Sequence, residues 1–209
     1  CRFTFKEAGK GNFKNFNFEA AKGASFELDE KTGIAKLSKG ILSIGDVAIS
    51  GEDLAFNEKT NEIAVKKGDV VISGLPYQNL ANAKFKIEKR VVDKKEISEV
   101  EFAEFTVAES CKAEDKKELV PCSYSFRYHD KEFLISADKG GHVRFDPKEK
   151  KKIEASAATI YYKNQFAEGD FSLELDKQGN VVKVSLLKKG SKYTFADMEI
   201  YAHDEKTDY

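Results

Sequence analysis

Apolar and polar residues alternate one by one along most of this chain. Val47 and Ile49 share one parity, with Ala48 and Ser50 on the other. Leu54 and Phe56 repeat the pattern, followed by Ile63 and Val65, then Val70 and Ile72. The second half does the same. Phe133, Ile135 and Ala137 share a parity, as do Val143 and Phe145, and then Phe171, Leu173 and Leu175. Val182, Val184 and Leu186 follow, then Tyr193 with Phe195, and Met198, Ile200 and Ala202 last. A period of two is the mark of half-buried β-strands, and a slip of one residue would expose a whole set. Each set is therefore expected to face one common interior. Polar clusters at 50–53, 57–61 and 66–69 separate the runs and read as turns. Short strands recurring about every 8–10 residues predict a sandwich, barrel or solenoid rather than βαβ units. Helical signals are few. Residues 18–23 contain Glu-Ala-Ala-Lys, which reads as a short helix or a strand edge. Residues 84–105 are dense in both charges and read as a long strand pair with its tip near Asp93-Lys94, or as a solvated linker. The polar end from Asp204 to Tyr209 reads as frayed.

An internal repeat is laid over this alternation. Leu28-Asp29-Glu30-Lys31-Thr32-Gly33-Ile34 leads to Ser38-Lys39-Gly40, and Phe56-Asn57-Glu58-Lys59-Thr60-Asn61-Glu62-Ile63 leads to Lys66-Lys67-Gly68. The offsets 56 − 28 and 68 − 40 both equal 28. Looser copies start at Phe145-Asp146-Pro147-Lys148 and Leu175-Asp176-Lys177-Gln178. A fixed period of this length points to stacked supersecondary units with a continuous surface, more a scaffold or groove than an enzyme pocket. The chain reads as one elongated β domain over 1–209, or as halves 1–85 and 100–209 joined by the charged segment.

Composition narrows the function classes. In 209 residues, Lys+Arg (35) and Asp+Glu (36) nearly cancel, so no global field draws in nucleic acid. No apolar run approaches the roughly 18 residues of a membrane-spanning helix. No signal-peptide pattern heads the chain, which is the expectation for a mature or a cytosolic form. Cys111 and Cys122 are close enough in sequence for a disulfide, the alternative being two free thiols. Zinc would need further Cys or His, and only His129 is near, so no metal and no cofactor is expected. Cys1 is either an arbitrary first residue or the lipid-bearing first residue of a mature bacterial lipoprotein.

Catalytic signatures are missing. No Gly-x-Ser-x-Gly, His-Glu-x-x-His or phosphate-loop motif occurs, and His129, His142 and His203 have no nucleophile at strand-mate spacing. No catalytic residue is assigned and the chain is expected not to be an enzyme. The lysines of the repeats fall at one corner of each unit and form either a solvated edge or a rim that meets lipid phosphates.

Two stretches carry a family resemblance. Gly45-Asp46-Val47-Ala48-Ile49-Ser50-Gly51-Glu52-Asp53-Leu54-Ala55-Phe56-Asn57 and Gly68-Asp69-Val70-Val71-Ile72-Ser73-Gly74 resemble repeats of the OstA-like, LptA-type β-jellyroll family of lipopolysaccharide transport. The stretch at 105–115, around Cys111, resembles a cysteine-bearing segment of that family. The resemblance implies a repetitive antiparallel β-jellyroll or β-roll, with acyl chains lying between two facing sheets. It implies a groove lined by Val47, Ile49, Leu54, Phe56, Ile63, Val65, Val70, Ile72, Phe133, Ile135, Val143, Phe145, Phe171, Leu173 and Leu175. It also implies a glycolipid or lipopolysaccharide ligand, edge-strand addition to other jellyrolls or to a second copy, and a place in the periplasm or cell envelope. Two competitors stand beside it: a structural β-solenoid, as in an adhesin or surface lipoprotein, with a filled core, and a carbohydrate-active β-roll. The first differs from a lipid carrier in its closed interior, the second in needing exposed aromatics with paired carboxylates.

Overall fold

A computed structural model describes residues 1–115, 117–203 and 206–209. Lys116, in the loop between the two cysteines, and Asp204 and Glu205, in the polar end, lie outside the described residues. Among those described there is no helix, and the strands pair antiparallel. The fold is all-β, as the alternation predicts, and its repetitive antiparallel sheet is consistent with the β-jellyroll or β-roll that the resemblance implies. The chain divides into two compact units, Cys1–Val100 and Glu101–Tyr209.

The first unit contains β1 (Arg2–Thr4), β2 (Gly9–Phe13), β3 (Phe16–Ala20), β4 (Ser25–Asp29), β5 (Ile34–Ile44), β6 (Val47–Asn57), β7 (Glu62–Ile72) and β8 (Leu75–Val92). The unit boundary falls within β9 (Lys95–Val107). The Glu-Ala-Ala-Lys stretch belongs to strand β3 and the turn after it. The charged segment is a strand pair turning at Asp93 and Lys94, whose left-handed φ of 49° and 64° makes the tight turn.

One sequence reading is corrected here. The polar clusters at 50–53 and 66–69 are not turns; they lie inside β6 and β7. Each of these strands is 11 residues long and bends at its middle. The bend has a residue-level cause. Gly40, Gly51 and Gly68 sit opposite one another across β5, β6 and β7. Their φ values are 142°, 127° and 155°, and a Cβ on each would lie 2.0, 2.0 and 1.8 Å from a carbonyl oxygen of the neighbouring strand. Only glycine permits this approach, so three strands turn the same corner together.

The bend switches the parity that faces inward and folds the sheet over its own core. On one side Phe26, Leu37, Leu54, Val65 and Ala83 form a cross-strand row; on the other, Phe18, Leu42, Ile49, Val70 and Tyr77 do. Tyr77 and Phe85 belong to the same strand, eight residues apart (85 − 77), about 26 Å if it were straight. Their ring centroids are 5.2 Å apart, so β8 doubles back across the interior.

The second unit has β10 (Cys111–Lys112), β11 (Leu119–Val120), β12 (Cys122–Tyr128), β13 (Lys131–Asp146), β14 (Lys152–Tyr162) and β15 (Gln165–Leu175). It ends with β16 (Val181–Leu186), β17 (Lys192–Phe195), β18 (Met198–Tyr201) and β19 (Thr207–Asp208). Here the corner is made by bulges, with register shifts at 137/142 in β13 and 155/158 in β14. Phe133 and Phe145, at opposite ends of β13, have ring centroids 6.3 Å apart. Val182 departs from its set and is 62% exposed, because a bulge at 174/175 opposite it leaves it outside the ladder. Phe195 and Met198 are exposed as well, at the outer hairpin β17–β18. Of the polar end, residues 207–209 are not frayed: Thr207 and Asp208 pair with Leu186 and Ser185, and Tyr209 exchanges two backbone hydrogen bonds with Val184.

Candidate functional site

The groove residues expected from sequence are all core. Val47, Ile49, Leu54, Phe56, Ile63, Val65, Val70 and Ile72 are buried in the first unit. Phe133, Ile135, Val143, Phe145, Phe171, Leu173 and Leu175 are buried in the second. In the second unit the interior is packed ring on ring: Phe126 stacks on Phe145 at 4.7 Å and Phe133 on Tyr162 at 4.6 Å.

An opening reaches this interior in the first unit. The bend at Gly40, Gly51 and Gly68 lies at the middle of β5, β6 and β7, so the turns at the two ends of these strands lie away from the glycine corner. A cleft of about 240 Å³ lies there. One wall is the β5–β6 turn, Ile44 to Val47; the other is Phe56, Glu58, Asn61 and Ile87 from the far ends of β6, β7 and β8. Val47 and Phe56 are thus the two groove residues brought to an opening. The remaining walls come from Asn15 and from Lys89, Glu96 and Ser98 of the β8–β9 hairpin. The floor is apolar. The rim holds three carboxylates, Asp46, Glu58 and Glu96, against one lysine, Lys89, which pairs with Glu96 at 3.4 Å. The volume is below the roughly 300–1,000 Å³ of small-molecule pockets. A whole lipid does not fit in it.

Asp46 organises the mouth. Its carboxylate accepts hydrogen bonds from the Ser98 N–H at 2.7 Å and the Ser98 hydroxyl at 2.6 Å, and from the Ser73 hydroxyl. Its own carbonyl accepts from the Ser73 N–H at 2.9 Å. Desolvation pushes the Asp46 carboxyl up, but the hydrogen bonds from Ser73 and Ser98 outweigh it and hold the group below the usual carboxylate range. Two hairpin tips, at 45–46 and 73–74, are thereby tied to buried Ser98 of β9. Sequence reading missed this cluster. Its signal was faint: Asp46 and Ser73 both stand beside a turn glycine, 27 residues apart, but nothing marks Ser98.

The repeats themselves resolve into turn chemistry. Asp29 accepts from the N–H groups of Lys31 and Thr32; Asn57 from Lys59 and Thr60; Asp176 from Gln178 and Asn180. Neighbouring repeats touch, since the Lys59 ammonium donates to the Lys31 carbonyl. Two of the repeat lysines have carboxylate neighbours across the strands. Lys39 lies 3.9 Å from Glu52 and Lys66 lies 3.6 Å from Asp53.

The Cys111 and Cys122 sulfurs are bonded, and Cys1 is a free, exposed cysteine. Exposed His129 shares a hydrogen bond of 3.1 Å with the Lys177 carbonyl. Among the described residues no group of three His, Cys, Asp or Glu is placed to hold a metal ion. The fold and the cleft thus define an antiparallel β-roll with a buried apolar interior and a small cleft beside Val47, Phe56 and Ile87 in its first unit. No family model matches the chain, and no curated protein or solved structure matches it.

Proposed function

We propose that this protein binds the acyl chains of an amphiphile and passes them along the bacterial envelope, with lipopolysaccharide or a related glycolipid as the cargo and no chemistry of its own. One observation carries the reading: the bent sheet wraps an apolar interior whose mouth, at Val47, Phe56 and Ile87, lies away from the glycine corner. Alkyl burial there contributes about 0.8 kcal/mol per CH₂. The three carboxylates at the rim work against seating a phosphate in the mouth itself, so an anionic head group stays outside while the chain enters. Partner jellyrolls, or a second copy, would join at the outer edges of the rolls by strand addition.

A photo-crosslinking residue at Phe56, which keeps the site apolar, tests this. Phe56 is expected to label with lipid purified from a bacterial envelope, while exposed Lys59 on the outer turn does not. Equal labelling at both would mean adsorption to membrane, and no labelling at Phe56 would sink the reading.

A second reading has its own support. The fifteen interior residues are packed to the level of an ordinary core, and the cleft is small. A structural β-roll with a filled core needs no more. In that case neither position labels.

A further inference from the structure

The hairpin made by β8 and β9 lies across the mouth. Up to Ile87, β8 follows the β7 ladder, ending where the Ile87 N–H donates to the Asn61 carbonyl at 3.0 Å. Beyond Ile87 the strand leaves that ladder. Lys89 and Glu96 of the hairpin then line the cleft, and Ser98 reaches the tips of the opposite wall. The hairpin therefore runs from one lip, at Ile87, to the other, at Asp46 and Ser73. Its two strands are pinned to each other by Arg90 and Glu99 at 2.8 Å and by Lys89 and Glu96 at 3.4 Å.

The attachment to the far lip is narrow. It comprises the Ser98 hydroxyl on Asp46, the Ser98 N–H shared between Asp46 and the Ser73 hydroxyl oxygen, and the Ser73 hydroxyl hydrogen shared between Asp46 and the Ser98 carbonyl. Asp46 and Ser73 are both exposed residues in hairpin turns. Two exposed turn residues thus hold buried Ser98 through a small set of part-buried hydrogen bonds.

We propose that the β8–β9 hairpin is a strap over the mouth, that Asp46, Ser73 and Ser98 are its latch, and that release of the latch admits an alkyl chain to the interior beside Phe56. This rests on the amphiphile-binding reading and adds what controls access. It also explains how a cleft too small for a lipid could lead to one. With the strap lifted, the walls that Lys89, Glu96 and Ser98 supply are removed and the apolar floor of Val47, Phe56 and Ile87 is uncovered.

The test uses the full chain and a fluorescent C12 fatty acid as probe. Two variants weaken the latch. Ser98→Ala removes one hydroxyl and keeps the backbone bond; Asp46→Asn removes the charge that gathers the donors. Amide exchange in residues 88–99 is expected to rise about fivefold in each, the size of one net hydrogen bond, with the β6–β7 amides unchanged. The rate of probe uptake, by stopped flow, is expected to rise by the same factor. Unchanged exchange in the hairpin would show that these residues are not a latch. Faster exchange with unchanged uptake would show that the hairpin is not the gate, while probe binding itself leaves the amphiphile reading standing. Absence of probe binding in the native protein and both variants overturns the amphiphile reading, and the gate with it. Should Asp46→Asn raise exchange throughout the first unit, it has unfolded the roll, and the milder Ser98→Ala decides.

Discussion

Gly51 is held at φ 127°, and a methyl group there would lie 2.0 Å from the Lys67 carbonyl oxygen and 2.7 Å from the Gly68 Cα. Both atoms are backbone and cannot swing aside. Gly51→Ala is therefore expected to lower stability by about 3 kcal/mol or more, from overpacking together with an unfavourable φ. Gly9→Ala is the control: its added methyl would meet only the Phe5 ring at 3.5 Å, so a change within about 0.5 kcal/mol is expected. Urea unfolding of the two variants reads the difference, and similar midpoints would show that the sheet has no need of a glycine corner. The two sites look alike in the sequence. What separates them is a neighbouring strand, contributed by residues 16 or 17 positions further on in the case of Gly51.

Strands and turns were largely legible. The Asx residue that opens each repeat, Asp29, Asn57 or Asp176, caps its own turn locally, so its role depends on residues two to four positions away. The parity of the buried residues was legible for the same reason. The bends were not, because polar residues around a glycine look the same whether the chain turns back or only kinks. The disulfide belongs to this scale as well. β10 and β11 pair over two residues each, too short a ladder to persist alone, and the Cys111–Cys122 bond closes the loop that carries them. Replacing both cysteines by alanine is expected to cost about 3 kcal/mol, from the freedom returned to the unfolded loop. Chemical denaturation with and without the pair measures it. A loss under about 1 kcal/mol would mean that the loop is held by something other than the bond.

Over the whole molecule seven carboxyl groups among the described residues are shifted, and in the same direction. Asp29, Glu30, Asp46, Asp130, Asp138, Asp176 and Asp208 are all held below the ordinary carboxylate range. For Asp29 the main cause is the Thr32 hydroxyl, and for Asp176 the Asn180 side chain. A carboxyl with a lowered folded-state pKa adds stability above its unfolded value and loses it as pH falls through the folded one. The melting temperature should therefore be level from neutrality to about pH 5 and fall below about pH 4. Thermal melts across that range are the measurement, and an undiminished melting temperature at pH 3 would contradict the assignment. Most of these groups sit in exposed turns, so each contributes little and the decline should be gradual.

Legible from the residues alone were the all-β class, the inward parity of the runs from Val47 to Leu175 though not of those after Val181, the turn chemistry of the repeats and a pair of cysteines close enough to bridge. Each of these depends on residues near one another along the chain, where period and turn type act directly. The tertiary structure decided where the sheet bends, that the interior is packed with side chains, and that Asp46, Ser73 and Ser98 meet at the mouth. Ser98 lies 52 residues from Asp46 and 25 from Ser73. Such a meeting follows from strand pairing and a shared corner. No local pattern encodes it, because the contact exists only after three strands have bent together and carried the lips of the roll to face each other.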